Sequence, residues 1–503
     1  MDQRQETPQQ KRDGEVSSLK EDKLHLEALH MEDAQLPIPE NLRSLSEVEV
    51  ARLGRKAVFK LDCTLMPCLT TMFIMNYLDR QNIASAKLND IDVDLGLSSV
   101  QYQTSVSILF VGYILMQVPS NIIVGKIKQP AYYICAAMGV WGIISTLMML
   151  VHNFVGIVIC RFFLGFAEAV FFPGALYYMS LFYNRKQYAL RSAILFSGSQ
   201  LGNAFGGLLA IAIFDLDDVN GIEGWRWLFL IEGCVTIAFA ILFVVVLPNS
   251  IRHLHGFTEQ EKDWIIWNYE ADLGRQRGKE EANGREGLML AVKDPKMWLL
   301  MALLTSIYIA AGVVNFFPSV VSGLGYSRNV TLGLTAPPFV LSIICMLING
   351  YFSDRRGKRY IHIVCPLAVG VAANIIAVST LNIAARYAAM MLMPGSIYAA
   401  VVVVLSWITG TLNQPALKRA ASIAAINAVA NSVNIWTSYL YRSAPRYLPA
   451  FLTNLAAMAL AVCIATATRV YLSRENAKMD RGEDLGRNGP TESQKSAGYR
   501  HMT

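Results

Sequence analysis

Two residues of opposite charge lie inside one apolar stretch of this 503-residue chain. Arg161 and Glu168 belong to the segment RFFLGFAEAVFFPG (161–174), within an apolar run that begins near Phe154. An ionisable side chain near the centre of a bilayer costs roughly 3 kcal/mol on insertion scales, so we expect both to face a bundle interior or an aqueous cavity. Their seven-residue spacing returns to about the same helix face. The pair therefore predicts either a functional coupling site or a structural polar pair that holds helices together.

The composition of the chain is that of a membrane protein, because 53% of its residues are hydrophobic, only 16% are charged and the mean hydropathy is +0.36. About 20 apolar residues cross a hydrocarbon core of about 30 Å. Twelve such segments lie near residues 60–79, 104–124, 131–151, 154–182, 192–214, 227–247, 297–319, 332–352, 361–381, 386–409, 418–440 and 449–472. The sequence therefore predicts an all-α membrane protein with twelve transmembrane helices in two six-helix halves, 58–248 and 297–472.

The segments outside these halves are polar. Residues 1–57 and 473–503 predict disordered tails, and no apolar run follows the charged start as a cleavable signal peptide would require. Lysines and arginines concentrate in the even-numbered loops, whereas the fifth loop is acidic. The positive-inside rule therefore predicts that both tails lie in the cytosol. We interpret the net charge of +6 as this bias and expect no nucleic-acid partner.

The central loop, 249–296, contains the sequence FTEQEKDWIIWNY. Thr258 and Glu261 have the spacing of a capping box, which predicts a short amphipathic helix. We expect Trp264, Ile265 and Trp267 to lie along the membrane surface. The eight cysteines and seven histidines show no metal-ligand spacing. We therefore expect no metal, no cofactor and no enzymatic activity.

An internal repeat supports the two halves. Pro173-Gly174 in the fourth span recurs as Pro394-Gly395 in the tenth, and the turn GKIKQP after the second span recurs after the eighth as GYFSDRRGKR. Repeats of six spans with a site between them are typical of secondary transporters.

Several motifs resemble a known family. GYFSDRRGKR (350–359) matches the loop motif of the major facilitator superfamily. NYLDRQNIASAK (76–87), RFFLGFAEAVFFPG, GWRWLFLIEG (224–233) and APRY (444–447) are similar to the anion:cation symporter family, and within it to the fungal allantoate and nicotinate permease-like members, over about residues 57–472. The resemblance implies the major facilitator fold in a protein that acts as a monomer in the lipid bilayer, and we expect this bilayer to be the plasma membrane. It also implies proton-coupled uptake of a small organic anion, such as a carboxylate, a vitamin or a ureide.

The resemblance also assigns roles to residues. It implies that Arg80 binds the substrate carboxylate, that Asp79 and Glu168 carry protons, and that Arg161 contributes to the site by holding Glu168 or a neighbouring acid poised. A guanidinium suits the first role because its planar fork meets a carboxylate with two hydrogen bonds. Asp79 and Arg80 could instead mark a snorkelling helix end. Further substrate contacts implied around the cavity are Tyr77, Tyr113, Gln200, Ser406, Trp407 and Asn427.

Asp354, with Arg355 and Arg359, is expected to act as a gate at the end of the eighth span, away from the substrate. Two alternatives remain open at this point: efflux by proton antiport, and a non-transporting nutrient sensor on the same fold. In the glycine-rich fifth span GSQLGNAFGG, Asn203 stands where the drug-proton antiporters carry proline, so the backbone hydrogen bond is kept and symport is favoured.

Overall fold

A computed structural model describes residues 39–124, 127–274, 289–412, 416–443, 446–483 and 500–503 of the chain. Helices account for nearly all regular structure in these ranges, which contain no strand. Ten helical stretches are long and apolar enough to cross a membrane, and the predicted second and eleventh spans are helical as well. These helices confirm the predicted all-α membrane fold.

The first half contains the helices α1 (Glu47–Ala86), α2 (Ser99–Val124), α3 (Pro130–Leu147), α4 (Phe154–Glu168), α5 (Phe171–Ser180), α6 (Arg185–Phe214) and α7 (Gly224–Val246). A linker helix, α8 (Glu259–Gly274), follows. The second half contains α9 (Pro295–Ala311), α10 (Phe317–Ser322), α11 (Arg328–Gly333), α12 (Ala336–Arg356), α13 (Arg359–Ser379), α14 (Ile383–Thr411), α15 (Ala416–Thr437) and α16 (Leu448–Asp480). The fourth span is thus α4 with α5, the seventh α9 with α10, and the eighth α11 with α12.

The two halves pack in the same pattern. In the first half α1 packs on α6 and α7, α3 on α7, and α2 on α4; the corresponding helices of the second half make the equivalent contacts. Helices α6 and α2 also meet α12 and α15 across the two halves. The structure therefore contains two related six-span units, as the internal repeat predicts.

The first helix begins earlier than the sequence predicts. Ser46 and Glu49 form a capping box, in which the Glu49 carboxylate accepts from the Ser46 N–H (2.9 Å) and Ser46 Oγ accepts from the Glu49 N–H (3.4 Å). The predicted disordered tail is therefore wrong for residues 47–57, which are helical, while residues 1–38 lie outside the described ranges.

The C-terminal tail also departs from the prediction. Helix α16 continues to Asp480, eight residues beyond the predicted end of the last span. Residues 500–503 lie against it: Asn476 Nδ2 donates to the carbonyl of His501 (2.9 Å), and Trp407 Nε1 of α14 donates to the carbonyl of Met502 (2.8 Å). The part of the tail that the structure describes is therefore ordered by contacts with the second half.

The linker helix α8 packs on protein rather than on the membrane surface. The predicted capping box is confirmed, because the Thr258 N–H donates to Glu261 (3.0 Å) and the Glu261 N–H donates to Thr258 Oγ1 (3.3 Å). However, Trp264 and its two apolar neighbours are buried, and the side chain of Trp264 lies so close to Gly54 of α1 that a Cβ there would be 2.3 Å from the indole. The expectation that Trp264, Ile265 and Trp267 lie along the membrane is therefore wrong.

Hydrogen bonds between the halves cluster on one face of the molecule. We call the face that carries α8 and residues 500–503 the terminal face, and the other the opposite face. On the opposite face, Gln103 Nε2 donates to the carbonyl of Tyr441 (2.9 Å), and Thr104 Oγ1 and the Tyr439 hydroxyl are 3.0 Å apart. The two halves are therefore closed against each other on the opposite face.

Candidate functional site

The helix that carries Glu168 is broken directly after this residue. Helix α4 ends at Glu168 and α5 begins at Phe171, with Pro173 in the first turn of α5. A proline ring clashes with the carbonyl four residues earlier, here that of Ala169, and removes a backbone hydrogen bond. Broken membrane helices are typical of transporter binding sites. The break places the Glu168 carboxyl at a helix end inside the bundle.

Glu168 pairs with Arg80 of α1. Arg80 donates from Nε (3.0 Å) and from Nη2 (2.8 Å) to the same oxygen, Oε2 of Glu168. The side chain of Arg80 is 11% exposed and that of Glu168 is fully buried. Because α1 continues six residues beyond Arg80 to Ala86, Arg80 is not a snorkelling helix end. The structure thus joins two predicted site residues, 88 positions apart in the sequence, in one buried ion pair.

Aromatic rings surround the guanidinium of Arg80. Its central carbon lies 5.2 Å from the ring centroid of Tyr77, 5.0 Å from that of Tyr113 and 5.9 Å from that of Phe110. These distances are within the range of cation–π attraction, which stabilises a cation that is removed from water. The predicted Tyr77 and Tyr113 therefore lie beside Arg80, together with Phe110, which the sequence analysis did not single out.

Close helix packing brings this site together. Gly112 of α2 and Gly165 of α4 face each other, so that a Cβ at Gly112 would be 2.2 Å from the carbonyl oxygen of Phe162 and one at Gly165 would be 2.0 Å from that of Leu109. Only glycine permits this backbone approach. The contact holds the Tyr113 turn of α2 against the α4 segment that ends at Glu168.

Asp79 faces away from Arg80. Its side chain is buried, and its two oxygens accept hydrogen bonds from Ser145 Oγ of α3 (2.7 Å) and Thr236 Oγ1 of α7 (3.0 Å). Successive residues of a helix point about 100° apart, so adjacent positions serve different surroundings. Asp79 and Glu168 therefore have different hydrogen-bond partners, Asp79 on α3 and α7 and Glu168 on α1.

Arg161 donates hydrogen bonds to the backbone of neighbouring helices. Its guanidinium is 1% exposed and donates to backbone carbonyls, that of Ser105 (3.3 Å) and that of Arg80 (3.3 Å from both Nη atoms). The expectation that Arg161 holds Glu168 or a neighbouring acid poised stays a prediction, whereas the residue that donates hydrogen bonds to Glu168 is Arg80. Arg161 instead ties α4 to the backbone of α1 and α2, next to the substrate-binding candidate.

Gln200 is buried where the two halves meet. Its Oε1 accepts from Ser342 Oγ of α12 (3.5 Å), and its Nε2 donates to Ser199 Oγ (3.2 Å). Tyr398 of α14 and Tyr308 of α9 are half-buried tyrosines of the second half. Neither tyrosine was predicted from the sequence, although a tyrosine within an apolar span carries a polar hydroxyl that needs a partner.

Three weaker candidates lie elsewhere. The indole of Trp407 is buried and donates to the carbonyl of Met502 at the terminal face, and its expected role as a substrate contact stays a prediction. Ser406 precedes it and accepts from Thr409 through its carbonyl (3.0 Å). Asn427 of α15 is half-buried, and its carbonyl accepts from Asn431 (2.9 Å).

The expected gate residues lie at the terminal face. Asp354, with a side chain 70% exposed, pairs with Arg359 of its own half (2.5 Å), and Arg359 also donates to Ser353 Oγ (3.0 Å). Arg355 donates to the hydroxyl of Tyr351 (3.3 Å). Asp354 thus bonds within its own half in this state, in which the opposite face is closed.

The site combines opposite charges and phenol hydroxyls inside the helix bundle. It offers one guanidinium, one carboxyl and several phenol hydroxyls, and no group of three or more metal-ligating side chains occurs in the described part of the chain. Two six-span units with a charged site near a broken helix define a membrane transporter architecture.

Comparison with known proteins identifies the family. A family model described as Major Facilitator Superfamily matches residues 69–438, so the chain belongs to this superfamily. An uncharacterized transporter of Schizosaccharomyces pombe is 30% identical over 424 residues, covering 84% of this chain and 87% of that protein. The MFS-type transporter efuF of Hormonema carpetanum is 28% identical (84% and 86% covered), and the major facilitator-type transporter hxnP of Emericella nidulans is 27% identical (84% and 87%).

Solved structures share the fold. A bacterial homologue of the human lysosomal transporter Spinster, in an inward-facing and unoccupied conformation, superposes with a TM-score of 0.64 at 15% identity, covering 82% of this chain and 96% of that one. The xylose transporter XylE of E. coli gives a TM-score of 0.61 at 13% identity, covering 79% and 96%. These comparisons confirm the predicted major facilitator fold and a multi-pass membrane protein of transporter type.

Proposed function

We propose that this protein is a secondary active transporter of the anion:cation symporter type. In this proposal it takes up a small organic anion together with protons across the plasma membrane, by alternating access and with both termini in the cytosol. The observation that carries the proposal is the buried ion pair between Arg80 and Glu168, set among the rings of Tyr77 and Tyr113.

The ion pair supplies a coupling mechanism. While Glu168 is ionised, it occupies the hydrogen-bonding fork of Arg80. When a proton neutralises Glu168, its hold on Arg80 weakens and a substrate carboxylate can take its place, because a charge-assisted bidentate pair is stronger than a bond to a neutral acid. Proton and anion therefore bind together, and release of one favours release of the other. With proton and anion both bound, the positive charge of Arg80 and the negative charge of the substrate carboxylate cancel, so the loaded site has no net charge in its apolar surroundings.

Arg161 and the phenols have supporting roles in this scheme. Arg161 donates to the backbone carbonyl of Arg80 (3.3 Å) and so positions this turn of α1. The hydroxyls of Tyr77 and Tyr113 can donate to substrate oxygens. Because the rings contact the guanidinium face, Arg80 keeps an apolar surrounding whether Glu168 or substrate is bound.

A substrate panel in a permease-deficient yeast tests this function. Cells that express the protein are given radiolabelled small carboxylates, with nicotinate and allantoate included, at external pH values from 4.5 to 7.5. The matched control is a neutral analogue of the same shape, such as nicotinamide for nicotinate. We expect at least one carboxylate to accumulate, more at low external pH, while its neutral analogue does not. Uptake that is independent of pH, or equal for acid and amide, would contradict proton–anion symport.

A further inference from the structure

A second carboxyl group lies buried in the first half, outside the Arg80 site. Glu232 is in the middle of α7 and is 3% exposed. One of its oxygens, Oε2, accepts from Asn82 Nδ2 of α1 (2.7 Å), whereas Oε1 is buried with no hydrogen-bond partner in the described part of the chain. The proposed function does not use this residue.

Glu232 and Asp79 form a reciprocal arrangement between α1 and α7. Asp79 of α1 accepts from Thr236 of α7 (3.0 Å), and Glu232 of α7 accepts from Asn82 of α1 (2.7 Å). Each helix thus contributes one acid and one neutral donor, three or four residues apart on one face. Arg80 lies between Asp79 and Asn82 in the sequence of α1 and faces the substrate site instead.

No positive charge compensates Glu232 in the described structure. Helix α3, which packs on α7, contains no charged residue, and the charged residues of α6 lie within its first seven positions. Arg226, in the first turn of α7, bonds Glu223 (2.6 Å) and the carbonyl of Val151 (2.8 Å). The acid that shares the interface is Asp79, which would repel a second negative charge.

These surroundings distinguish the three buried acids of the first half. Glu168 has a guanidinium and Asp79 has two hydroxyl donors, but Glu232 has one amide donor and one unpartnered oxygen. An isolated carboxylate in an apolar interior costs several kcal/mol, whereas a carboxylic acid needs only ordinary hydrogen bonds. We propose that Glu232 is a second proton site of this transporter, occupied by a proton in the state seen here and linked through α1 to Arg80.

The link has a physical basis. Loss of the proton from Glu232 leaves a negative charge between α1 and α7, opposite Asp79, and therefore disfavours this packing. Since Asp79 and Asn82 flank Arg80, movement of that turn of α1 also moves the substrate-binding guanidinium. Substrate binding at Arg80 and proton occupancy at Glu232 are thereby coupled. This functional meaning rests on the proposed proton symport.

Infrared spectroscopy of the full-length protein in lipid nanodiscs tests the assignment without any substrate. At pH 7 we expect the carbonyl stretching band of a protonated carboxyl group, which shifts when the protein is labelled with ¹³C-glutamate. Glu232→Gln, which keeps an acceptor for Asn82, should remove this band. Glu223→Gln, the same change at a partly exposed acid that pairs with Arg226 and directly precedes α7, should leave it in place.

A second variant serves if Glu232→Gln does not fold. Asn82→Ala removes the donor to Glu232 and should shift the band of the wild type to higher frequency. No glutamate band in the labelled wild type, or a band that persists in folded Glu232→Gln, would overturn the inference. If anion uptake depends on pH but the band is absent, the inference about Glu232 is wrong and the proposed symport is unaffected. If the band is present but uptake does not depend on protons, the proposed symport is wrong and the protonation of Glu232 is unaffected.

Discussion

Arg80 donates two hydrogen bonds to one oxygen of Glu168 and leaves the other oxygen without a hydrogen-bond partner in the described structure. The carboxylate is therefore held on one side only. A proton can be added to Oε1 of Glu168 while Oε2 still contacts Arg80, which offers a route from the ion-paired state to the neutral acid without first separating the two charges.

Replacement of Glu168 by glutamine should uncouple protons from substrate. A glutamine has the shape of the protonated acid and cannot cycle, so we expect Glu168→Gln to lose accumulation driven by a pH gradient while exchange of internal for external substrate continues. Both are measured in the same vesicles with the labelled carboxylate that the yeast panel identifies. Glu223→Gln serves as the surface control. A wild-type response of net uptake to pH in Glu168→Gln would contradict the role of this residue.

Substitution of Arg80 by lysine should weaken substrate binding. The ammonium keeps the charge but loses the fork that meets a carboxylate with two hydrogen bonds, so we expect the apparent affinity to fall about tenfold, which corresponds to about 1.4 kcal/mol. The measurement is concentration-dependent uptake at equal protein abundance in the membrane. An unchanged affinity would mean that Arg80 serves as a structural partner of Glu168 and does not bind substrate.

Asp354 should affect the balance between conformations and not the choice of substrate. It is exposed and bonds within its own half in a state closed on the opposite face, so we expect it to form a contact between the halves only when that face opens. Asp354→Asn would then favour the present state. The measurement uses a cysteine introduced on the closed face by Thr104→Cys and a membrane-impermeant maleimide. We expect this cysteine to react more slowly in the protein that also carries Asp354→Asn than in the protein that carries Thr104→Cys alone. An equal rate, or a changed order of competing anions, would contradict this.

Acid should release the linker helix. Burial disfavours the charged form of Glu261, but hydrogen bonds from Lys60 (2.8 Å) and from the Thr258 N–H (3.0 Å) outweigh it and hold its pKa below the usual range. Because the pKa of Glu261 is lower when α8 is docked, its ionised carboxylate stabilises docking at pH values above the ordinary glutamate pKa. This contribution to the free energy of docking is lost as the pH falls through the lowered pKa of the docked state.

A nitroxide attached after Gln260→Cys measures this release. We expect it to become more mobile only in acid below the ordinary glutamate range. Glu261→Gln should be mobile already at neutral pH, whereas Glu259→Gln, at the exposed neighbouring acid, should behave as the wild type. A probe whose mobility in the wild type does not change with pH would show that this ion pair does not hold α8.

Hydropathy and local motifs predicted much of the fold. Spans of apolar residues located the transmembrane helices, and the spacing of Thr258 and Glu261 located the start of α8, because both signals depend on residues close in sequence. The length of α1 was underestimated, since its polar first turns pack on α8 and are not apolar enough to count as a span. The burial of Trp264 likewise depends on Gly54, some 200 residues away in sequence, which no local pattern reveals.

The structure brings several of the candidate residues together, but their pairings could not all be predicted from the sequence. Periodicity placed Arg161 and Glu168 on one face, yet the rotation of α1 against α4 decides that Glu168 meets Arg80 while Arg161 meets a backbone carbonyl. Adjacent residues of α1 serve different sites for the same reason. The hydrogen bond from Trp407 to Met502 could not be predicted, because Met502 comes from a tail with no structural signal of its own.

Simultaneous recording of anion and proton movement tests the central claim most directly. Purified protein is placed in vesicles that hold a pH-sensitive dye, with the membrane potential clamped to zero, and the transported carboxylate is added outside. We expect the interior to acidify in step with anion uptake in the wild type, and no acidification in Glu168→Gln although labelled anion still exchanges. Anion uptake without proton entry in the wild type, or undiminished proton entry in Glu168→Gln, would contradict coupling through the Arg80–Glu168 pair.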